Sequence, residues 1–353
     1  MLREVRLTGR LPVTARPEWK GDAAVRTMTG KAANVATASK AKESTLRSYA
    51  GFLRKELRKN KYIYLMLLPV MLYFVVFSYF PMVGLALAFK DYSLKYGLIG
   101  NILEAPYVGL KHFEAFFAGV AFKQVVVNTI LLSVYGIIFA FPAPIVLALL
   151  LNELRVKWFK SMVQSITYMP HFISLVVISG MIIDLTSING LINTIIDALG
   201  GSKIMFLLEP AWFRTIFITS DIWQHIGWGS IIYLAALSGI DAEMYEAAVM
   251  DGAGRWRQLL NITLPSLLPT IMILLILRIG QMLNIGVEKI ILLYQPMTYE
   301  TADVISSYVF RQGILNLQIS YTTAVGLFNA VINFALLVLA NWLSKKTTQS
   351  SLW

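Results

Sequence analysis

Polar and ionisable side chains recur at helical spacing inside three apolar stretches of this 353-residue chain. The candidates are Asp221, Gln224, His225, Trp228, Arg278, Gln281, Asn284 and Asn329. Such groups are costly in hydrocarbon and therefore usually face a bundle interior or a cavity. Amides and carboxylates can bind hydroxyl groups, and an indole can cover an apolar ring face. This chemistry suits a ligand that offers hydroxyl groups and an apolar ring face.

The same residues have a structural alternative, because polar side chains in membrane bundles commonly hydrogen-bond neighbouring helices. Arg278 is the most informative of them, since a cation deep in a span needs a carboxylate, carbonyl groups or an anionic ligand. An anionic ligand would suit Arg278, and Asp221 could equally neutralise it. Both interpretations remain open from the sequence.

A second concentration of charge lies in EAAVMDGAGRWRQLLNITLP, residues 246–265. Asp241 is a candidate N-cap for a helix that continues to about Met250. Gly252 can take a positive φ and end that helix, and a second short helix is expected from near Gly254. Each helix has one apolar face, which must be buried against the membrane surface, the chain's own bundle or a partner protein.

The elements that position these residues are six apolar runs, each near the length of about 20 residues that spans a bilayer. They are residues 62–80, 126–151, 162–183, 214–237, 265–287 and 322–343. The pattern predicts an all-α polytopic membrane protein with six transmembrane helices. Within a membrane domain of residues 62–345, a cytoplasmic helix pair is expected over 238–264.

Basic residues predict the orientation. Residues 1–61 contain 15 Lys and Arg against 5 acidic residues, so most of the formal charge of +11 lies in an N-terminal arm. Three basic segments favour a cytoplasmic location. They are the arm, the LRVKWFK connection at 154–160, and Lys345 with Lys346, where a tail at 346–353 begins. The outer segments are then 81–125, 184–213 and 288–321. The arm lacks interleaved aromatic residues, which favours a lipid surface over nucleic acid.

Several classes of chemistry are excluded by the sequence. There is no cysteine, and three scattered histidines make no metal motif, so no cofactor or metal is expected on this chain. No G-x-x-x-x-G-K-[ST] phosphate loop occurs, so any ATP hydrolysis must belong to another polypeptide.

One motif is specific. Its nine positions at fixed spacing are Glu246, Ala247, Ala248, Asp251, Gly252, Ala253, Ile262, Leu264 and Pro265. They resemble the EAA loop of permease subunits in binding-protein-dependent ABC importers. The contexts SDIWQHIGWGSIIYLAALSGID (220–241), ADVISSYVFRQGI (302–314) and TAVGLFNAVINF (323–334), with the terminal SLW, resemble the branch that imports oligosaccharides and polysaccharide fragments. Leu259 departs from the pattern, because many relatives have an aromatic residue there.

The resemblance implies an inner-membrane translocation subunit without enzymatic activity of its own. It implies a heterodimer with a second permease subunit, two ATP-binding subunits that carry ATP and Mg, and an extracytoplasmic solute-binding protein. By the same resemblance, Glu246 would meet a basic residue of the ATPase, Gly252 would permit the bend, and the alanines would allow close approach. An acidic polysaccharide such as alginate is one candidate cargo.

Three other classes of protein fit the sequence less well. An ion-coupled secondary carrier would be expected to show repeated halves with interrupted helices, and no duplication is visible. No selectivity-filter sequence suggests a channel, and no H-E-x-x-H, G-x-S-x-G or paired intramembrane Asp motif suggests an enzyme. Co-purification of an ATPase would separate the importer from the carrier.

Overall fold

The computed structural model describes Glu56 and residues 59–348, so most of the predicted N-terminal arm and the last residues of the tail lie outside the described residues. All regular elements in the described part are helical, and its one isolated β-bridge joins Lys90 and Tyr107. The helices are α1 Lys61–Phe74, α2 Phe80–Met82, α3 Gly97–Leu103, α4 Lys111–Ala118, α5 Val120–Tyr135, α6 Pro142–Glu153, α7 Lys157–Tyr168, α8 Leu175–Thr186, α9 Leu191–Ala198, α10 Pro210–Ser238, α11 Ala242–Met250, α12 Arg255–Gln258, α13 Leu264–Gly280, α14 Val287–Leu293, α15 Tyr299–Ala302, α16 Ile305–Phe310 and α17 Ile319–Thr348.

The chain divides into two compact units, Met1–Pro81 and Met82–Trp353. In its described part the first unit contains α1. The second contains α3 to α17 and all the candidate site residues.

Within the described residues, five helical runs are long and apolar enough to cross a membrane: Lys61–Phe89, Val120–Glu153, Leu175–Ala198, Arg255–Gly280 and Ile319–Lys346. The predicted span 214–237 lies in α10, a continuous helix of 29 residues. Its apolar run is interrupted by the polar candidate residues. The all-α membrane fold is confirmed. The count of six spans stays a prediction.

The predicted span 162–183 is wrong as a single helix. Helix α7 ends at Tyr168, a 3₁₀ turn covers Met169–Phe172, and α8 begins at Leu175. Pro170 has no amide hydrogen to continue the α-helical bonds. Ser174 then caps α8 by accepting a hydrogen bond from the amide of Val177 at 3.4 Å. The apolar run therefore continues through α8 into α9.

Three of the long helices contain a π-type turn that ends two residues before a proline. The turns are Val75–Tyr79 before Pro81, Gly136–Ala140 before Pro142, and Leu259–Thr263 before Pro265. A proline ring clashes with the carbonyl four residues earlier, and that carbonyl lies inside the π turn in each case. The wider turn accommodates the ring without ending the helix.

The main apolar core joins α10 to segments that the sequence placed outside the membrane. Phe213 and Phe217 of α10 pack in one buried cluster with Ile290 and Leu293 of α14. The predicted outer segment 288–321 is therefore largely folded into the unit and is not a free loop.

From the sequence, part of that segment could be a docking surface for a binding protein, with ordinary packing as the alternative. Arg311 forms an ion pair with Asp303, with Nη2 2.5 Å from Oδ2, and its guanidinium lies 4.4 Å from the ring centroid of Tyr299. Tyr308 is buried. The contacts agree with packing for these residues.

Candidate functional site

Helix α11 carries the first part of the nine-position motif, and its start is the predicted one. The Asp241 side chain accepts a hydrogen bond from the Glu243 amide at 3.0 Å and caps the helix. Glu243 lies in the first turn, where a carboxylate favours the positive end of the helix dipole. The helix ends at Met250, as expected.

Gly252 makes the turn after α11, with φ +75°. The amide of Gly252 donates to the carbonyl of Val249 at 3.0 Å, and the amide of Ala253 donates to that of Ala248 at 2.8 Å. These bonds satisfy the last carbonyls of the helix. Glycine adopts this left-handed conformation without steric cost.

The second short helix is not a separate element, which corrects the expectation. Helix α12 continues through the π turn Leu259–Thr263 into α13, in one helical run Arg255–Gly280. Ile262 lies in that turn, and Leu264 and Pro265 begin α13. The last three motif positions therefore belong to the base of a helix long enough to span the membrane.

Two contacts tie α11 and α12 to the rest of the second unit. The hydroxyl of Tyr245 lies 2.9 Å from Oγ1 of Thr263. Arg255 Nη1 lies 3.6 Å from Glu153 Oε2 at the end of α6. These contacts join α11 to the base of α13 and α12 to the end of α6.

The other face of this segment is uncovered in the described chain. Glu246, Ala247, Asp251 and Gly252 are exposed, and Ala248 and Ala253 are half-buried. Among the apolar side chains, Met250 is 87% exposed and Trp256 is 78% exposed. These residues therefore do not form a hairpin that packs fully on the chain's own bundle.

Five of the eight predicted path residues line one cavity of about 430 Å³. They are Asp221, His225, Trp228, Arg278 and Gln281. The first three lie on one stripe of α10, and Phe141 and Pro144 supply an apolar wall. The three α10 residues follow the predicted spacing, and the fold brings them to one surface with Arg278 and Gln281.

A smaller cavity of about 120 Å³ adjoins the first, shares Asp221, Arg278 and Gln281 with it, and adds Asn284. The predicted span 265–287 is too long here, because α13 ends at Gly280. Gln281 and Asn284 therefore follow the helix instead of lying on its face. Other groups replace the helical bonds: the Ser133 hydroxyl donates to the carbonyl of Met282, and the amide of Leu283 donates to Asn333 Oδ1 at 3.0 Å.

Asn284 and Asn329 are brought together by hydrogen bonding. The Nδ2 groups of Asn329 and Asn333 each donate to Asn284 Oδ1 at 3.1 Å. This is the helix-to-helix arrangement that was the structural alternative. Gln224 lies apart from both cavities; it is buried, and its Oε1 has no hydrogen-bond partner among the described residues.

Sequence reasoning missed Lys289, which is buried in α14. Its Nζ lies 3.8 Å from Asp221 Oδ1 and donates to the carbonyl of Phe217 at 3.3 Å. Burial lowers the pKa of Lys289 to about 8, while the charge of Asp221 acts in the opposite direction. The partner of Asp221 is thus this lysine together with His225, whose Nδ1 is 3.2 Å away.

His171 was also missed. Its ring stacks on Trp228 with centroids 4.6 Å apart and planes 3° apart. The stack places the break between α7 and α8 against the wall of the first cavity. Pro170 was the available signal, because a proline can end a helical run.

A third cavity, of about 540 Å³, lies along the first half of α10 and contains Arg214 beside Tyr135 and Phe139. Arg214 Nη2 donates to Asn128 Oδ1 at 2.8 Å, and its buried Nε has no partner among the described residues. This cavity and the smallest one share Ile218, so the three cavities follow one face of α10.

A family model and two curated proteins match most of this chain. The family described as "Binding-protein-dependent transport system inner membrane component" matches residues 115–349. Protein LplB of Bacillus subtilis (strain 168) is 43% identical over 298 residues, which are 84% of this chain and 92% of that protein. The polygalacturonan/rhamnogalacturonan transport system permease protein YteP of the same organism is 44% identical over 299 residues, with the same two coverages.

Two solved structures are similar in fold and sequence. One is the crystal structure of a bacterial ABC transporter involved in the import of the acidic polysaccharide alginate, with a TM-score of 0.78 and 42% identity. The other is that of a bacterial alginate ABC transporter in complex with an alginate pentasaccharide-bound periplasmic protein, with a TM-score of 0.78 and 41% identity. Each match covers 84% of this chain and 99% of the solved chain.

Proposed function

Because this chain belongs to the family of inner membrane components of binding-protein-dependent transport systems, we propose that it is the membrane-spanning subunit of an ATP-driven carbohydrate importer. It translocates its cargo by alternating access, in which ATP binding and hydrolysis by other subunits bias two arrangements of the helices. The observation that carries the proposal is the exposed α11 segment joined to the base of a helix long enough to span the membrane.

The proposed coupling role rests on the exposed surface of α11. Glu246 and Ala247 are exposed, and Val249 and Met250 add apolar surface beside them. An ATP-binding subunit with a basic residue and an apolar cleft would cover both. Small residues at 247, 248 and 253 let the partner approach closely, and the Tyr245 and Arg255 contacts would pass its motion to α13 and α6.

The cargo is a carbohydrate with carboxylate groups. Similar proteins are described as permeases for polygalacturonan and rhamnogalacturonan or as importers of alginate. In the described part of this chain, neither Arg278 nor Arg214 has a carboxylate within ion-pair distance. Both line cavities, with aromatic side chains beside them. A guanidinium and a ring face together match a uronic-acid unit.

The partners follow from the same proposal. They are a second permease subunit, with which this chain forms a heterodimer, two ATP-binding subunits that hold ATP and Mg, and an extracytoplasmic binding protein. This subunit catalyses no reaction itself. The complex lies in the inner membrane, with both termini of this chain on the cytoplasmic side.

The proposal is tested by co-expressing the chain with a second permease subunit and ATP-binding subunits from the same organism and reconstituting the complex in proteoliposomes. ATP inside the vesicles and loaded binding protein outside should produce uptake of an acidic oligosaccharide. Uptake driven by an ion gradient in the absence of any ATPase subunit would instead show a secondary carrier. Uptake of neutral sugars alone would refute the acidic cargo.

A further inference from the structure

The ion pair of Asp221 and Lys289 adjoins the two cavities that contain Arg278. Asp221 lines both cavities, and its side chain is 25% exposed. The Lys289 side chain is 5% exposed and lines neither cavity. Its Nζ lies over the ring of Phe217, at 4.9 Å from the centroid. The lysine therefore pairs with the carboxylate without lining either cavity.

The arrangement determines the charge that a ligand would meet. Asp221 without a cation would place a negative charge on the wall that Arg278 shares. That charge would attract Arg278 and repel a carboxylate. With Lys289 in place, two cations and one carboxylate leave one net positive charge, carried by Arg278 on the open side. Gly136 maintains room for this group, because a Cβ there would lie 3.3 Å from Arg278 Nη2.

We propose that Lys289 is a specificity-determining positioning residue, which neutralises Asp221 without lining the cavities and so leaves Arg278 free to bind a carboxylate of the cargo. This inference rests on the proposed function and assigns its charge selectivity to one residue outside the cavity lining. Lys289 does not itself contact the cargo.

The test uses the complete complex in nanodiscs without the binding protein, so that the measured affinity is that of the membrane subunits. The probes are trigalacturonate and its fully methyl-esterified, neutral derivative. Lys289→Met keeps the packed stem and removes the charge. We expect its Kd for trigalacturonate to rise about tenfold, which corresponds to about 1.4 kcal/mol. The Kd for the ester should stay unchanged, whereas a merely structural role would alter both.

Three matched variants define the controls. Asp221→Asn combined with Lys289→Met removes both charges and should restore the wild-type Kd for trigalacturonate to within about threefold. Lys289→Arg keeps the charge and should bind like the wild type. Lys203→Met makes the same chemical change at a half-exposed lysine, 3.9 Å from Asp197, and should change nothing.

A second measurement uses the wild-type protein and varies the pH. Lys289 is protonated below about pH 8 and loses its charge as the pH rises through that value. Binding of trigalacturonate to the wild type should therefore weaken between about pH 7 and about pH 9, and binding of the ester should not. Among the described residues, the other ionisable groups at this site are Asp221 and His225 on α10, Arg278 on α13, and His171, whose ring centroid lies 5.7 Å from that of His225. Lys289→Arg remains charged throughout this range and should give a flat profile.

The outcomes separate the two levels of the proposal. Equal trigalacturonate affinity of the wild type and Lys289→Met, or a flat pH profile of the wild type, overturns this inference alone. If the wild-type complex binds the ester and not trigalacturonate, the acidic cargo is refuted and the inference with it.

Discussion

The Tyr245 hydroxyl lies 2.9 Å from Oγ1 of Thr263 and joins α11 to the π turn at the base of α13. One side chain belongs to the segment that we assign to ATPase coupling, and the other to a helix long enough to span the membrane.

Tyr245→Phe should leave assembly intact and lower the uptake per ATP hydrolysed about three- to tenfold, since one hydrogen bond contributes about 1 kcal/mol.

The control for this bond is its other partner. Thr263→Val should give a similar loss, and the double variant should be no worse than either single one, because both remove the same interaction. Additive losses would show that the two side chains act independently.

Gly252 is expected to be sensitive because of its backbone. Its φ is +75°, and no atom lies within 4 Å of the position that a Cβ would occupy, so Gly252→Ala tests conformation without a steric clash. A left-handed non-glycine residue costs about 1–2 kcal/mol, so uptake should fall several-fold while membrane insertion is unchanged.

Gly254 is the matched position. It has φ −69° and ψ 167°, and it also has open space around it. Gly254→Ala should therefore transport like the wild type. Equal effects of the two alanines would show that the left-handed turn is not what matters.

Gly227 allows α10 to cross α7 closely. A Cβ at this position would overlap the carbonyl of Thr167 and the amide of Tyr168. Gly227→Ala should separate the helices, disturb the Trp228 wall of the cavity and lower the yield of assembled complex. Gly326→Ala in α17 meets open space and serves as the control in size-exclusion chromatography of the purified complex. A normal yield for Gly227→Ala would refute this packing role.

The coupling segment could be predicted from sequence because its determinants are local. Asp241 caps by reaching the next turn, and Gly252 supplies a positive φ, so residue type alone indicated both helix ends. The α10 stripe was predictable for a similar reason, since Asp221, His225 and Trp228 follow the helical period within one element.

The remaining features depend on contacts between distant parts of the chain. In the sequence, Lys289 is a charged residue of the predicted outer segment 288–321. Only the packing of α14 against α10 makes it a buried partner of Asp221. The end of α13 at Gly280 is similar, because Ser133 and Asn333 supply hydrogen bonds that an isolated apolar run does not reveal. Pro170 was a local signal for the break between α7 and α8, and the apolar residues around it concealed that break.

The central claim is that exposed Glu246 on α11 transmits the motion of a separate ATPase to the membrane helices. The most direct test compares Glu246→Ala with Glu243→Ala, an exposed carboxylate of the same helix outside the motif. Reconstituted complexes are assayed together for ATP hydrolysis stimulated by loaded binding protein and for cargo uptake. We predict that Glu246→Ala inserts and assembles normally but loses both activities, while Glu243→Ala retains them. Uptake by Glu246→Ala at the wild-type rate would contradict the account.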